Sequence, residues 1–192
     1  MMSMPHDTVE SSFQGLIYRV FQEGLNANPD RGIAIAFVAA HRGAGTTFLT
    51  TRLSDALQTG SIEPAVLLDC RNIASAYDQA FYVPATPTDS TAQTALALPR
   101  GNWRANRDYR KQSIDVLRDR FSYILIDCPS LNESRDIVGL ATIVDGVVLV
   151  VEANKTSKGQ LANLERTVSD AGGNVVGSLL NKRTYPIPGC FF

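Results

Sequence analysis

Seven uninterrupted apolar residues, Ile33 to Ala39, run into the loop Ala40-His41-Arg42-Gly43-Ala44-Gly45-Thr46-Thr47, and the loop opens at once into a helix-like segment at 48–57. Few folds accept that succession. A run that is apolar at every position, rather than at every second one, has to be buried on both faces, which is the condition of a strand inside a parallel sheet. A glycine-containing loop between such a strand and a helix gathers backbone N–H groups at the positive end of the helix, and that is a cradle for phosphate. A complete loop of this kind ends Gly-Lys-Ser/Thr, with the lysine reaching the β- and γ-phosphates and the hydroxyl meeting Mg2+. Here Thr46 stands where the lysine belongs, and Thr47 supplies the hydroxyl. The cradle is written into the chain without its cation.

The alternation of strand and helix continues. Ala65 to Asp69, Tyr123 to Asp127, residues 146–151 and residues 174–180 read as strands rich in Val, Ile and Leu. Residues 107–120 and 157–171 read as helices, the second with Leu161, Leu164 and Val168 on one face and Gly172-Gly173 at its end. Residues 9–25 have Phe13, Leu16, Ile17, Val20 and Phe21 at helical spacing. Residues 95–98 are a weaker strand candidate, and 84–94, rich in Pro, Thr and Ser, read as a loop. The pattern predicts an α/β fold: a mostly parallel sheet with helices on both faces. One domain over 1–192 is expected, with 1–31 as a lead-in helix, 32–188 as the core and 189–192 as a tail.

Composition removes several classes of function. An apolar content of 44% over 192 residues supports a sizeable core. A net charge of -1 gives no reason to expect a nucleic-acid partner. Three cysteines, an odd number, argue against a disulfide framework and for a reducing, cytoplasmic setting. No apolar run approaches the ~18–20 residues of a membrane span, and the start lacks the basic and apolar stretches of a secretory leader.

Ligands of open parallel sheets bind beyond the carboxyl ends of the strands. Three features collect there: the glycine loop, Asp69 after the second strand, and Asp127 after the strand that begins at Tyr123. A Mg2+ nucleotide needs a loop hydroxyl and acidic groups for the metal and its waters. Thr47, Asp69 and Asp127 are of the right types, in the right order, and become the expected metal residues. The bland alternative is that both aspartates only begin turns or cap helices.

The motifs, taken together, resemble the bacterial tyrosine kinase (BY-kinase) family of capsule and exopolysaccharide biosynthesis, within the ParA/MinD group of P-loop proteins. The resemblance runs from about Ile33 to Pro188. It rests on Phe121-Ser122-Tyr123-Ile124-Leu125-Ile126-Asp127-Cys128-Pro129, similar to a Walker B segment, on Asp145-Gly146-Val147-Val148-Leu149-Val150-Val151, on Lys155-Thr156, and on Ala171-Gly172-Gly173-Asn174-Val175-Val176-Gly177. Its most specific part is the ending Leu180-Asn181-Lys182-Arg183-Thr184-Tyr185-Pro186-Ile187-Pro188. The resemblance implies a P-loop NTPase fold and ATP or ADP with Mg2+ as ligand. It implies phosphates on Arg42, Gly43, Ala44, Gly45, Thr46 and Thr47, and an adenine facing Asn181. Asp69 and Asp127 would be the catalytic carboxylates of an active member. It further implies a membrane-embedded polysaccharide co-polymerase as partner, a possible homo-oligomer, and a cytoplasmic place at the inner face of the membrane.

The departures cluster at the chemistry. Besides Thr46, the family's Asp-x-Asp-x-Arg motif reads Asp69-Cys70-Arg71-Asn72, so Arg71 reverses a charge. No tyrosine cluster follows Tyr185, and Ser11, Gln14 and Ile17 replace a Glu-x-x-Arg-x-x-Arg assembly motif. Loss of a phosphate-bound ammonium removes on the order of several kcal/mol at an effective dielectric near 20, and at a transition state commonly ~10²-fold or more in rate. A catalytically impaired pseudokinase that regulates or scaffolds the co-polymerase is therefore expected. A slow tyrosine kinase or ATPase is the alternative, and a ParA/MinD-like positioning ATPase is a weaker one. Arg42 and Arg71 could replace the lysine at the phosphates; equally, Arg42 could face solvent and Arg71 could pair with a neighbouring acid. The basic, aromatic stretch at 100–111 is either a contact for an anionic partner or a solvated helix start. Cys70 and Cys128, each following a strand-end aspartate, are either a redox or metal pair or small buried side chains.

Overall fold

The structure is a computed structural model that describes residues 15, 21, 31–60, 64–71 and 107–183. Most of the helix expected at 9–25, the loop at 84–94, the strand at 95–98, residues 100–106 of the basic stretch and the ending from Thr184 lie outside the described residues. Within them, the chain order is β1 (Ile33–Ala39), α1 (Thr46–Gly60), β2 (Ala65–Asp69), α2 (Arg107–Arg118), β3 (Tyr123–Asp127), α3 (Asp136–Leu140), β4 (Gly146–Glu152), α4 (Lys158–Asp170) and β5 (Val175–Asn181).

The five strands form one parallel sheet in the order β2-β3-β1-β4-β5. The first strand of the sequence is the middle strand of the sheet. Its neighbours β3 and β4 leave β1 on opposite sides, so the connections reverse direction there and open a crevice at its carboxyl end. The register fixes what faces that crevice. Phe37 of β1 aligns with Asp127, and Asp69 of β2 aligns with Asp127 as well.

All seven residues of β1 are buried, as its unbroken apolar run requires. The period of two divides them between two cores. Ala34, Ala36 and Val38 join Val66, Leu68, Ile124, Ile126, Val147 and Leu149 on one face, under Ile114 and Leu117 of α2, Ile137 and Leu140 of α3, and Leu164 and Val168 of α4. Ile33, Ile35, Phe37 and Ala39 lie on the other, with Leu125, Val148 and Val150, under Leu49, Leu53 and Leu57 of α1. Phe21 is fully buried there and meets Tyr123 edge to face at 5.3 Å between ring centres. Alanines at 34 and 36 let the crowded three-helix face approach the sheet.

Two details differ from the sequence reading. The helix α1 begins at Thr46 rather than at 48, because Leu49 N–H already bonds the Gly45 carbonyl at 3.0 Å. The short helix α3 was not expected: five residues carry too little periodicity to read, although Ile137 and Leu140 are both buried. The helix α4 starts on a capping box, Ser157 and Gln160 exchanging side-chain and backbone bonds.

At the end of the sheet remote from the glycine loop, one buried cation ties three segments together. Arg118, with 3% of its side chain exposed, donates to Asp115 at 2.9 Å, to the Ile143 carbonyl at 3.0 Å and to Asp145 at 2.8 Å. Asp145 also accepts the Ala34 N–H at 2.8 Å, so α2, β1 and the entry to β4 share one knot. Arg118→Ala is expected to destabilise the fold by about 2–4 kcal/mol, since it strands a buried carbonyl and a partly buried carboxylate. Arg118→Lys should recover only part, because an ammonium lacks the planar fork that spans three acceptors. Urea-unfolding midpoints of the three proteins check both statements.

Candidate phosphate-binding site

The buried β1 strand delivers its chain into the loop at a fixed place and direction, and the loop must then turn sharply into α1. Gly43 and Gly45 make that turn with φ of +83° and +92°, a region that residues with a Cβ avoid. At Gly45 a Cβ would also strike the Asn181 amide, so the position is closed sterically as well. The loop is held from behind by the end of β5. Asn181 Nδ2 donates to the Ala44 carbonyl at 2.8 Å, and Lys182 Nζ donates to the Gly43 carbonyl. With those carbonyls held by β5, the preceding N–H groups and the start of α1 remain for an anion. His41 adds a third tie: Nδ1 faces the Arg42 carbonyl at 3.1 Å and therefore carries a proton, while Nε2 meets the Thr156 hydroxyl at 3.0 Å.

In front of the loop lies an open cleft of about 410 Å³, lined by His41, Arg42, Gly43, Gly45, Thr46, Thr47, Arg71, Asp127, Cys128, Pro129, Ser130 and Glu133. The loop and the strand-end aspartate therefore meet as the sequence predicted. Thr47 donates its hydroxyl to Asp127 Oδ2 at 2.6 Å, and Oδ1 of the same carboxylate is buried without a hydrogen-bond partner. A hydroxyl and a half-satisfied, partly buried carboxylate, side by side at the mouth of the glycine loop, are a donor set that fits Mg2+. Burial raises the Asp127 pKa; Asp69 adds to the rise, while the Thr47 bond and Arg71 oppose it.

Asp69 sits differently. Arg71 folds back on it, with Nη2 at 2.7 Å from Oδ2, Nε at 3.0 Å from Oδ1, and the Arg71 N–H at 2.8 Å from Oδ1. The Asp69 carboxyl is lowered in pKa chiefly by that guanidinium, and Arg71 is raised in turn. So the residue expected to serve a metal is occupied by its own near neighbour, two positions along. Arg71 lines the cleft but its guanidinium is committed to Asp69, and Arg42, with 86% of its side chain exposed, leans toward Glu133 at 3.5 Å. Of the two arrangements open from the sequence, the structure has the pairing of Arg71 with an acid and the solvent-facing Arg42. Asn181 spends its amide on the Ala44 carbonyl and its Oδ1 on the Lys182 N–H at 2.9 Å, so it acts as a support of the loop.

Sequence reasoning missed two residues. Glu133 enters the cleft because Ser130 holds it, Oγ to Oε2 at 2.7 Å, and that bond first among others lowers its pKa. The Ser-x-x-Glu spacing at 130–133 was the available signal. Lys182 was quoted only as part of a motif; its place behind the loop depends on a left-handed backbone with φ of +57°. Cys70 and Cys128 are both buried on adjoining strand ends, and the hydrogen bond between their thiols, followed by burial, pushes Cys128 well up. Both are reduced thiols, and no group of three or more His, Cys, Asp or Glu able to hold a metal is found among the described residues.

The rise in the Asp127 pKa carries a sign. A carboxyl whose folded pKa exceeds its unfolded value favours the fold below the unfolded pKa and loses that contribution as pH rises through the folded value. At neutral pH the bare, partly buried carboxylate is a cost that a bound cation would relieve. Asp127→Asn keeps an acceptor for Thr47 and is expected to melt above wild type at neutral pH in metal-free buffer. The gap should close as the buffer is acidified through the raised pKa. Melting curves of both proteins across that range provide the check.

Against known proteins, no model of a protein family matches the chain. Over 66 residues it is 36% identical to the CapB protein of Staphylococcus aureus, which covers 34% of this chain and 29% of that one. Over 74 residues it is 28% identical to the tyrosine-protein kinase CpsD of Streptococcus agalactiae, covering 38% and 32%. The matches span about a third of each relative's length. The kinase domain of the Escherichia coli tyrosine kinase ETK superposes with a TM-score of 0.67 at 13% identity, over 95% of this chain and 80% of that one. The MinD cell division protein of Aquifex aeolicus gives 0.57 at 15% identity, over 80% and 70%. At these identities the solved structures establish the fold, a P-loop architecture of the ParA/MinD type.

Proposed function

We propose that the chain, similar in part to the capsule proteins CapB and CpsD and built on a P-loop fold of the ParA/MinD type, is a catalytically impaired member of the bacterial tyrosine kinases (BY-kinases) that binds a nucleotide and regulates or scaffolds polysaccharide synthesis. The observation that carries the reading is the split state of the site. The parts that bind are kept: the two left-handed glycines, the braced loop, and Thr47 beside Asp127. The parts that would drive phosphoryl transfer are replaced: Thr46 carries no charge, and Arg71 occupies Asp69.

When bound, Mg2+ would bring a positive charge to the phosphates, with Thr47 and Asp127 as its protein ligands or the partners of its waters. The backbone N–H groups of the loop and the start of α1 would hold the phosphate oxygens. Asp69, neutralised by Arg71, is not free to take a proton from an attacking hydroxyl. Transfer of a phosphoryl group depends on stabilising charge at the transition state, and the missing lysine alone removes ~10²-fold or more of that effect. The likeness to CapB and CpsD supports a place in capsule or exopolysaccharide synthesis. A membrane co-polymerase as partner, assembly with further copies, and residence at the cytoplasmic face of the membrane belong to the same reading. No helix among the described residues is long and apolar enough to cross a membrane.

The test is phosphotyrosine formation and ATP hydrolysis by the purified protein with Mg2+. Wild type is expected to show neither above background. Thr46→Lys combined with Arg71→Asp is expected to gain at least about tenfold in turnover, on the scale of one restored charge. Turnover by wild type that vanishes on changing Thr47 or Asp127 would instead establish the slow kinase or ATPase.

A further inference from the structure

We propose that the cleft selects a nucleoside diphosphate over the triphosphate, an inference that rests on the nucleotide-site reading above and names the ligand state it retains. The two ends of a polyphosphate depend on different parts of a P-loop. The α- and β-phosphates lie in the backbone cradle, and the lysine serves the β- and γ-phosphates. In this chain the cradle is braced in advance through the Ala44 and Gly43 carbonyls, and the magnesium pair Thr47 and Asp127 is assembled. The parts that serve the α- and β-phosphates are therefore in place.

A γ-phosphate adds negative charge, and among the described residues each cation beside the cleft is already engaged by another group. Thr46 is neutral and short. Arg71 is bound to Asp69 through two side-chain nitrogens and its own backbone N–H. Lys182 donates to the Gly43 carbonyl and pairs with Glu152 at 3.3 Å. Arg42 pairs with Glu133 at 3.5 Å and is otherwise in solvent. Moving Arg71 to a third phosphate would break its three bonds to Asp69, and moving Arg42 or Lys182 would give up an existing ion pair. The charged lining is itself balanced, two arginines against Asp127 and Glu133. Glu133 cannot simply turn away, because the Ser130 hydroxyl and N–H both hold its Oε2. The triphosphate thus gains little contact and meets fixed carboxylates, a device that discriminates by repulsion as well as by lost attraction.

The experiment is calorimetric titration of the whole chain, freed of copurified nucleotide, with MgADP, MgATP and a non-hydrolysable MgATP analogue. MgADP is expected to bind at least about tenfold more tightly than either triphosphate. Thr46→Lys is expected to shrink that ratio at least about tenfold, and Glu133→Gln to raise triphosphate affinity more than diphosphate affinity. Triphosphate binding equal to or tighter than that of MgADP overturns the inference and leaves the nucleotide site standing. A preference that is unchanged in both folded variants also overturns it, since the discrimination would then lie elsewhere. No binding of any of the three at millimolar concentration overturns the site reading and this inference with it.

Discussion

Everything in this molecule is placed by the burial of β1 between two parallel neighbours. The strand is hydrogen-bonded to β3 on one side and to β4 on the other, and all seven of its residues are buried. A strand so enclosed has no freedom of register, because a one-residue slip would exchange its two cores, small alanines for Ile35 and Phe37. Its carboxyl end is therefore a fixed point. The glycine loop starts from that point, α1 departs from it, and Asp127 arrives beside it through the β1–β3 register.

Around that fixed point the electrostatics have been rearranged without disturbing the backbone. A phosphate cradle is mostly main chain, and main-chain geometry is guarded by packing: Gly45 is confined by Asn181, and the loop carbonyls are engaged from β5. The charges are carried by side chains and are easier to change. Arg71 sits close enough to its own Asp69 that the two close on each other, which leaves the strand end nearly neutral where a metal-using site keeps it negative. Glu133 and Glu152 similarly absorb Arg42 and Lys182. The result is a cleft with the backbone shape of a P-loop whose neighbouring charges are paired with one another.

Much of this was legible in the chain. The period of apolarity distinguished buried strands from helices, the five strands among the described residues were all read, and the glycine loop, Thr47 and Asp127 were placed together at the strands' carboxyl ends. The reading was weakest where the signal was short or came from far away. The five residues of α3 offer one turn and a half, too little for a period. Glu133 reaches the cleft only through Ser130, and Lys182 reaches the loop only because β5 ends next to it, 139 residues along the chain from Gly43.

The sequence by itself determined the α/β class, the glycine loop after β1, and a neutral Thr46 within it, because these depend on residue identity and local spacing. It also left two fates open for Arg42 and Arg71, at the phosphates or away from them. Only the tertiary structure chose between them. The choice depends on which carboxylates come within reach of each guanidinium, and that is set by strand register, by the Ser130–Glu133 bond and by the turn after β2. Distances of a few ångströms decide which charges neutralise which, and no pattern along a single chain encodes them.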